Sequence, residues 1–202
     1  PGIDNMEGEL LKEGGEAVVQ MIHKICNRIW DTGEFPTLWT KSLVVTIAKK
    51  GDTTKCENYC TISLICHASK IILEIIRSRM KSTIEMQMAE EQAGFRPGRG
   101  TIEQIFSLRL ITEKYLALQE KELYLIFIDF KKAFDCVWHQ GLWRVLHHYG
   151  IHPKLINLIE NLYTRTQSAI RVGSNVTEWF QQVIGVRQGC NLSSHLFNIY
   201  LE

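Results

Sequence analysis

Cysteine and proline are scarce in this 202-residue chain, six and four respectively, and it has no long apolar run. The cysteines stand at 26, 56, 60, 66, 136 and 190 without a repeated Cys-x-x-Cys pair. That spacing excludes a disulfide scaffold and reads as reduced thiols in an intracellular protein. The longest uninterrupted apolar stretch, Leu123 to Ile128, is strand-sized and far short of the roughly 20 residues that cross a bilayer, so no membrane partner is expected. No basic-then-apolar leader opens the chain. Charge of one sign is lacking too: 23 Lys+Arg face 22 Asp+Glu, for a net +1. Any grip on nucleic acid must therefore come from placed residues and not from bulk charge. Repeats, low-complexity tracts and Pro/Ser-rich linkers are missing, which leaves every domain boundary soft. What is present is 45% hydrophobic and 22% charged, the balance of a chain that buries a core. It starts on Pro1 and stops on Glu202 within an apolar, helix-like stretch, so both ends are expected to be cut from something longer.

Periodicity supplies the elements. Leu11, Val18, Ile22, Ile25 and Ile29 predict a first helix, capped at Asp4 or Asn5, loosened at Gly14-Gly15 and closed by Gly33 and Pro36. The β-branched run Leu43 to Ala48 leads into Lys49-Lys50-Gly51-Asp52, a strand and then a turn. Ile72, Ile75, Ile76 and Met80 predict a helix over 68–80; Ile105, Leu108 and Leu116 predict another over 102–118. Between them residues 94–100 form a Gly/Pro loop. Leu123–Ile128 predicts a fully buried strand ending in Asp129. A helix over about 138–149 should stop at Gly150, and Pro153 should open the next, with Leu155, Ile159 and Leu162 on one face. Gln167–Val172, the turn Gly173-Ser174-Asn175 and Val176–Ile184 predict a β-hairpin, and a last helix begins near Ser193. The expected fold class is α+β, with helices backing a mostly antiparallel sheet.

A buried strand that ends in a carboxylate fixes a metal ligand on a rigid element. Asp129 has that placement, and Asp135 follows six residues later. Two-metal phosphoryl transfer needs such hard oxygen ligands to hold Mg²⁺ against phosphates and a developing alkoxide. A lone strand-end Asp is equally what a cap or turn residue looks like. The surrounding words decide between these. FIDFKKAFDCVWH (127–139) resembles the first catalytic motif of reverse transcriptases from non-LTR retrotransposons. Three further blocks stand in that family's order: VVTIAKKGDTTKCENYCTISLI (44–65), EEQAGFRPGRGTIEQIF (90–106) and GVRQGCNLSSHLFNIYLE (185–202). The likeness runs from Gly2-Ile3-Asp4-Asn5 to the end of the chain.

The resemblance implies a right-hand polymerase, with residues 1–122 as a fingers-like region and 123–202 as the first half of a palm. It implies RNA-directed DNA synthesis on an RNA template and a DNA primer from deoxynucleoside triphosphates, with Mg²⁺ (or Mn²⁺) as cofactor. An endonuclease encoded upstream and a nuclear site of action are implied for the intact element. Asp129 then matches a metal-binding catalytic aspartate, and the Phe130 carbonyl a backbone ligand beside it. Phe134 matches the aromatic under the incoming sugar, where a ring would clash with a 2′-hydroxyl. Gln188 and Gly189 match the Gln-Gly that lines the nucleotide pocket. Lys49 and Lys50 match the fingers hairpin over the triphosphate, and Arg96 and Arg99 the template-gripping loop, where a guanidinium forks onto phosphate. Read alone, Lys49-Lys50 is a solvated turn, Phe134 is core, Gln188-Gly189 is a turn, and Asp135 is structural, a cap for the helix that follows. Cys56, Cys60, Cys66 and His67 lie in strand and core and do not read as a zinc set.

Four departures from the family pattern stand out. Cys60 and Cys136 occupy positions where Arg is usual; Asn191 and Ser194 alter the segment after Gln-Gly; Gly100 replaces a common Ser. The family's x-Asp-Asp hairpin and its thumb do not occur within these 202 residues. As it stands, this stretch is not expected to polymerise, because one aspartate cannot hold two metals. The alternative to a working reverse transcriptase is therefore an inactive remnant of a decayed element, at most a weak nucleic-acid-binding module.

Overall fold

In a computed structural model the protein is described over residues 1–118 and 122–202. The first helical pattern is split, as the glycine pair predicts: α1 (Gly8–Glu13) and α2 (Gly15–Thr32) meet at Gly14. Glu7, not Asp4 or Asn5, stands at the N-cap position of α1. Gly33, at φ +73°, ends α2 in the left-handed conformation and donates its N–H to the Ile29 carbonyl. A single 3₁₀ turn at Thr37–Thr40 leads into β1 (Lys41–Ala48), which forms an antiparallel hairpin with β2 (Tyr59–Leu64). The helix α3 (His67–Gln87) buries Ile72, Leu73, Ile76, Met80 and Ile84, one stripe at helical spacing. Then come α4 (Thr101–Leu116), α5 (His139–His148), α6 (Pro153–Thr164), β3 (Gln167–Val172), β4 (Asn175–Val176), β5 (Phe180–Gln181) and α7 (Ser193–Leu201).

The sheet is mixed, in the order β2-β1-β3-β4, with β5 also pairing β3. Its central pair is parallel, Lys41 opposite Gln167 and Val44 opposite Ile170, while the other pairings are antiparallel. The fold is thus α+β. β1 and β3 pair across the 122/123 position, and one cluster of buried residues runs from Ile29 and Ile65 through Ile76 and Leu146 to Ile159 and Ile199. Each such side chain contributes roughly 1.5–3 kcal/mol when fully buried. α7 packs against both α3 and α5, which ties the last described segment into that core. No helix among the described residues is long and apolar enough to cross a membrane.

The predicted strand at 123–128 does not form. Residues 122–130 have no regular structure, and Tyr124 and Ile126 are 82% and 88% exposed. A strand is stable only when its backbone N–H and C=O groups find a neighbouring ladder, and none of the described strands pairs with this segment. α4 likewise buries no residue among those described, and Ile102, Ile105, Phe106 and Ile111 are exposed along it.

Candidate functional site

The glycine positions explain how the site is assembled. Residues 133–136 form a 3₁₀ turn entered through Lys132 at φ +53°. Alongside runs the segment 185–189. Val186 donates its N–H to the Phe134 carbonyl at 2.8 Å, and Gly185 donates to the Val137 carbonyl at 2.9 Å. His139 donates from Nε2 to the Gly185 carbonyl at 2.7 Å. A Cβ on Gly185 would lie 2.8 Å from the Asp135 carbonyl, so only glycine allows the two backbones to approach this closely. At the other end, Ser63 of β2 donates its N–H to the Gln188 carbonyl at 2.9 Å, and a Cβ on Gly189 would stand 2.7 Å from the Ser63 oxygen. Three stretches distant in sequence, 59–64, 133–137 and 185–189, are in this way laced backbone to backbone.

Arg187 anchors the lace from below. It is 1% exposed and has no carboxylate partner among the described residues: Nε donates to Ser42 Oγ at 3.0 Å, Nη1 to the Trp39 carbonyl at 3.2 Å and Nη2 to the Lys41 carbonyl at 3.3 Å. Burial pushes its pKa below the usual guanidinium value. Three neutral acceptors around a buried cation form a rigid joint between the start of β1 and the Gln188-Gly189 turn. Nearby, burial raises the Cys66 thiol to about 11, and its Sγ donates to the Leu38 carbonyl at 3.3 Å, so this cysteine is packing and not a nucleophile.

Phe134 is half-buried, stacked on Phe197 of α7 at 4.7 Å between centroids and met edge-on by Phe95 at 5.9 Å. Phe95 holds φ +56°, an uncommon conformation for a bulky residue. Gln188 donates from Nε2 to Asp135 Oδ1 at 2.8 Å. Asp135 is therefore not a helix cap: Trp138 stands at the N-cap of α5, without a side-chain cap bond. The spacing of the two motifs gave no sign of this contact, because 53 residues separate its ends.

Lys49 and Lys50 sit at the exposed end of the β1–β2 hairpin, where Lys49 donates its N–H to the Asn58 carbonyl at 2.7 Å and Gly51 turns the chain at φ +127°. The Lys131 ammonium lies 3.7 Å from Glu57, linking the base of that hairpin tip to the 129–136 stretch. The two loop arginines part company. Arg96 is buried and its guanidinium is used internally, with Nε and Nη2 on Glu85 Oε1 (2.9 and 2.7 Å) and Nη1 on the Ala89 and Gln92 carbonyls. It holds the 89–99 loop together and has no free edge to turn toward a phosphate. Arg99 is half-buried and pairs with Glu90, itself exposed, at 2.7 Å.

Asp129 and Phe130 are exposed in the irregular 122–130 segment, not carried on a strand. Among the described residues no group of three or more His, Cys, Asp or Glu comes close enough together to hold a metal ion. Asp129 has the hard oxygen chemistry of a Mg²⁺ ligand, but the described residues do not complete a two-metal set around it. The structure brings Phe134, Gln188 and Gly189 together through backbone bonds, while Asp129 lies exposed on the irregular segment that precedes them.

Residues 47–202 match the family model of the reverse transcriptase (RNA-dependent DNA polymerase). The chain is 27% identical over 204 residues to an RNA-directed DNA polymerase from mobile element jockey of Drosophila melanogaster, covering 99% of this chain and 22% of that protein. It is 34% identical over 146 residues to a probable RNA-directed DNA polymerase from transposon BS of the same fly, covering 70% and 16%. It is 26% identical over 202 residues to an uncharacterised 149 kDa protein of transposon TX1 from Xenopus laevis, covering 100% and 15%. The chain thus spans less than a quarter of the length of these relatives.

Proposed function

This chain belongs to the reverse transcriptase family, that of non-LTR retrotransposons, and from that premise we propose that it forms the fingers-like (1–122) and first palm-like (123–202) part of an RNA-directed DNA polymerase. The observation that carries the reading is the lacing of 133–137 to 185–189 and to β2, which puts Phe134, Gln188 and Gly189 at one corner beneath the β1–β2 hairpin. On this reading a deoxynucleoside triphosphate lies at that corner with its sugar toward the Phe134 ring and its polar edge toward Gln188. Gly189, bare of a side chain, lets the nucleotide approach the backbone. Lys49 and Lys50 supply cations over the triphosphate, and Arg99 one for a template phosphate once it leaves Glu90. Arg96 serves that loop from within.

The family's chemistry is attack of a primer 3′-hydroxyl on the α-phosphorus of the nucleotide with pyrophosphate as leaving group, and divalent metal would support both charges; Asp129 and the Phe130 carbonyl are the residues of this chain suited to contribute ligands. RNA template, DNA primer, an endonuclease elsewhere in the polyprotein and a nuclear site of action complete the proposal. The test is RNA-templated primer extension by the full-length protein, with Phe134→Val alongside. Template-dependent DNA synthesis that admits ribonucleotides more readily in the variant is the expected result. No extension by the unaltered protein would overturn the reading in favour of an inactive remnant.

A further inference from the structure

Gln188 carries a carboxamide with a donor end and an acceptor end, and which end faces a ligand depends on what holds the other. The partner is Asp135, with Nε2 to Oδ1 at 2.8 Å. A carboxylate only accepts, so it can face only the NH₂ end. The carbonyl end, Oε1, is then turned away from Asp135. Both residues sit on backbone that cannot drift. Asp135 donates its N–H to the Lys132 carbonyl at 2.9 Å and abuts Gly185, while the Gln188 carbonyl is taken by Ser63 and its neighbour Arg187 is locked to Trp39, Lys41 and Ser42.

We propose that Asp135 is a positioning residue: it fixes the rotation of the Gln188 amide so that Oε1 is presented as a hydrogen-bond acceptor to a donor group of the incoming nucleotide. This rests on the reading of Gln188 as a nucleotide contact. It gives Asp135 a role in substrate selection in place of the capping role its sequence position suggests. Without the carboxylate the amide is free to rotate and to offer NH₂ where an acceptor is needed.

Primer extension by the full-length protein, with deoxynucleotide concentration varied, tests this for Asp135→Ala, Asp135→Asn, Gln188→Ala and the double alanine variant. Losing one charge-assisted hydrogen bond's worth of orientation should raise KM about tenfold in Asp135→Ala. kcat should move by less than about twofold, because the contact is made equally in ground and transition states. Asp135→Asn carries an amide that can meet either end of the Gln188 carboxamide, so it should recover only part of the loss. The double variant should be no worse than Gln188→Ala, since Asp135 acts only through it. Additive losses, or a fall in kcat at constant KM, overturn the proposal.

A second readout needs no activity. With the chain labelled at glutamine nitrogen, the Gln188 NH₂ should give two well-separated, slowly exchanging proton resonances in the unaltered protein. In Asp135→Ala they should move to the positions of a free amide while the rest of the spectrum stays in place. Unmoved Gln188 signals, or a spectrum that collapses as a whole, overturn the proposal whatever the extension assay gives. An intact amide signature in a protein that extends no primer counts against the polymerase reading alone.

Discussion

Gly189→Ala isolates the closest backbone approach in the site. Gly189 sits at φ +101°, and an added Cβ would fall 2.7 Å from the Ser63 carbonyl oxygen, a main-chain atom that cannot swing aside. The conformation alone costs an L-residue about 1–2 kcal/mol. Relieving the clash means separating residues 188–189 from β2, which sacrifices the 2.9 Å bond from the Ser63 N–H to the Gln188 carbonyl, worth about 0.5–1.5 kcal/mol net. The sum is about 1.5–3.5 kcal/mol, a large share of the roughly 5–15 kcal/mol that holds a domain folded. Gly150→Ala is the control: φ is +73°, but nothing lies within 4 Å of the new Cβ, so only the conformational part applies. Urea unfolding followed by tryptophan fluorescence reads both. With a slope near 2 kcal/mol/M, the Gly189 variant should lose about 0.8–1.8 M in midpoint and the Gly150 variant about 0.5–1 M, each with the slope unchanged. Equal losses in the two variants would refute the close-approach argument, because they would leave Ser63 with no part in the penalty.

Three further outcomes follow from the same contacts. Arg96→Ala strips the partners from Glu85 and the Ala89 and Gln92 carbonyls and should destabilise by about 2–3 kcal/mol; Arg99→Ala, whose partner Glu90 is solvent-exposed, should leave the thermal midpoint nearly unchanged, and equal effects would contradict the division of roles between the two arginines. His195 on α7 accepts from Arg77 Nη1 at 3.2 Å, with Glu74, Lys81 and Glu85 also facing it; burial first and the Arg77 charge second hold its pKa below the ordinary value. The unfolded chain therefore takes up the proton more readily, so stability should be full above about pH 6.5 and decline as pH falls through the window below it. Denaturant midpoints from pH 7.5 to 5 should show that decline in the unaltered protein and less of it in His195→Asn; a rise toward low pH would reverse the sign. Finally, Tyr124, Phe127 and Phe130 are 82%, 79% and 59% exposed in a stretch without regular structure, so brief chymotrypsin treatment should cut there first. Initial cleavage within α3 or α6 instead would contradict the irregular placement of 122–130.

The elements legible in the sequence are those whose signals are local. Gly33 and Gly150 end α2 and α5 in left-handed geometry, and Pro153 opens α6, because each of these residues sets backbone angles by itself. The hairpin of β3 is equally local, although its return strand is interrupted into β4 and β5. The parallel β1–β3 pair is not legible this way: Lys41 meets Gln167 across most of the chain, and no residue preference distinguishes its partner in advance. The buried Arg187 belongs to the same class, a charged residue whose sequence context resembles a solvated turn until Ser42 and the Trp39 and Lys41 carbonyls close around it.

Residues 123–128 show the converse. Their apolar composition describes a central strand but says nothing of the ladder that a strand requires. Local preference for extended backbone is worth at most about 1 kcal/mol per residue. That cannot offset unpaired N–H and C=O groups, so the segment stays irregular with its side chains in solvent. Asp129 inherits this condition, because a carboxylate is only as well placed as the element that carries it. Phe134, Gln188 and Gly189 differ because Gly185, Ser63 and Arg187 fix their backbone from three directions. In this chain the corner proposed for the nucleotide is therefore organised by glycine contacts and one buried guanidinium, independently of whether the aspartate end is.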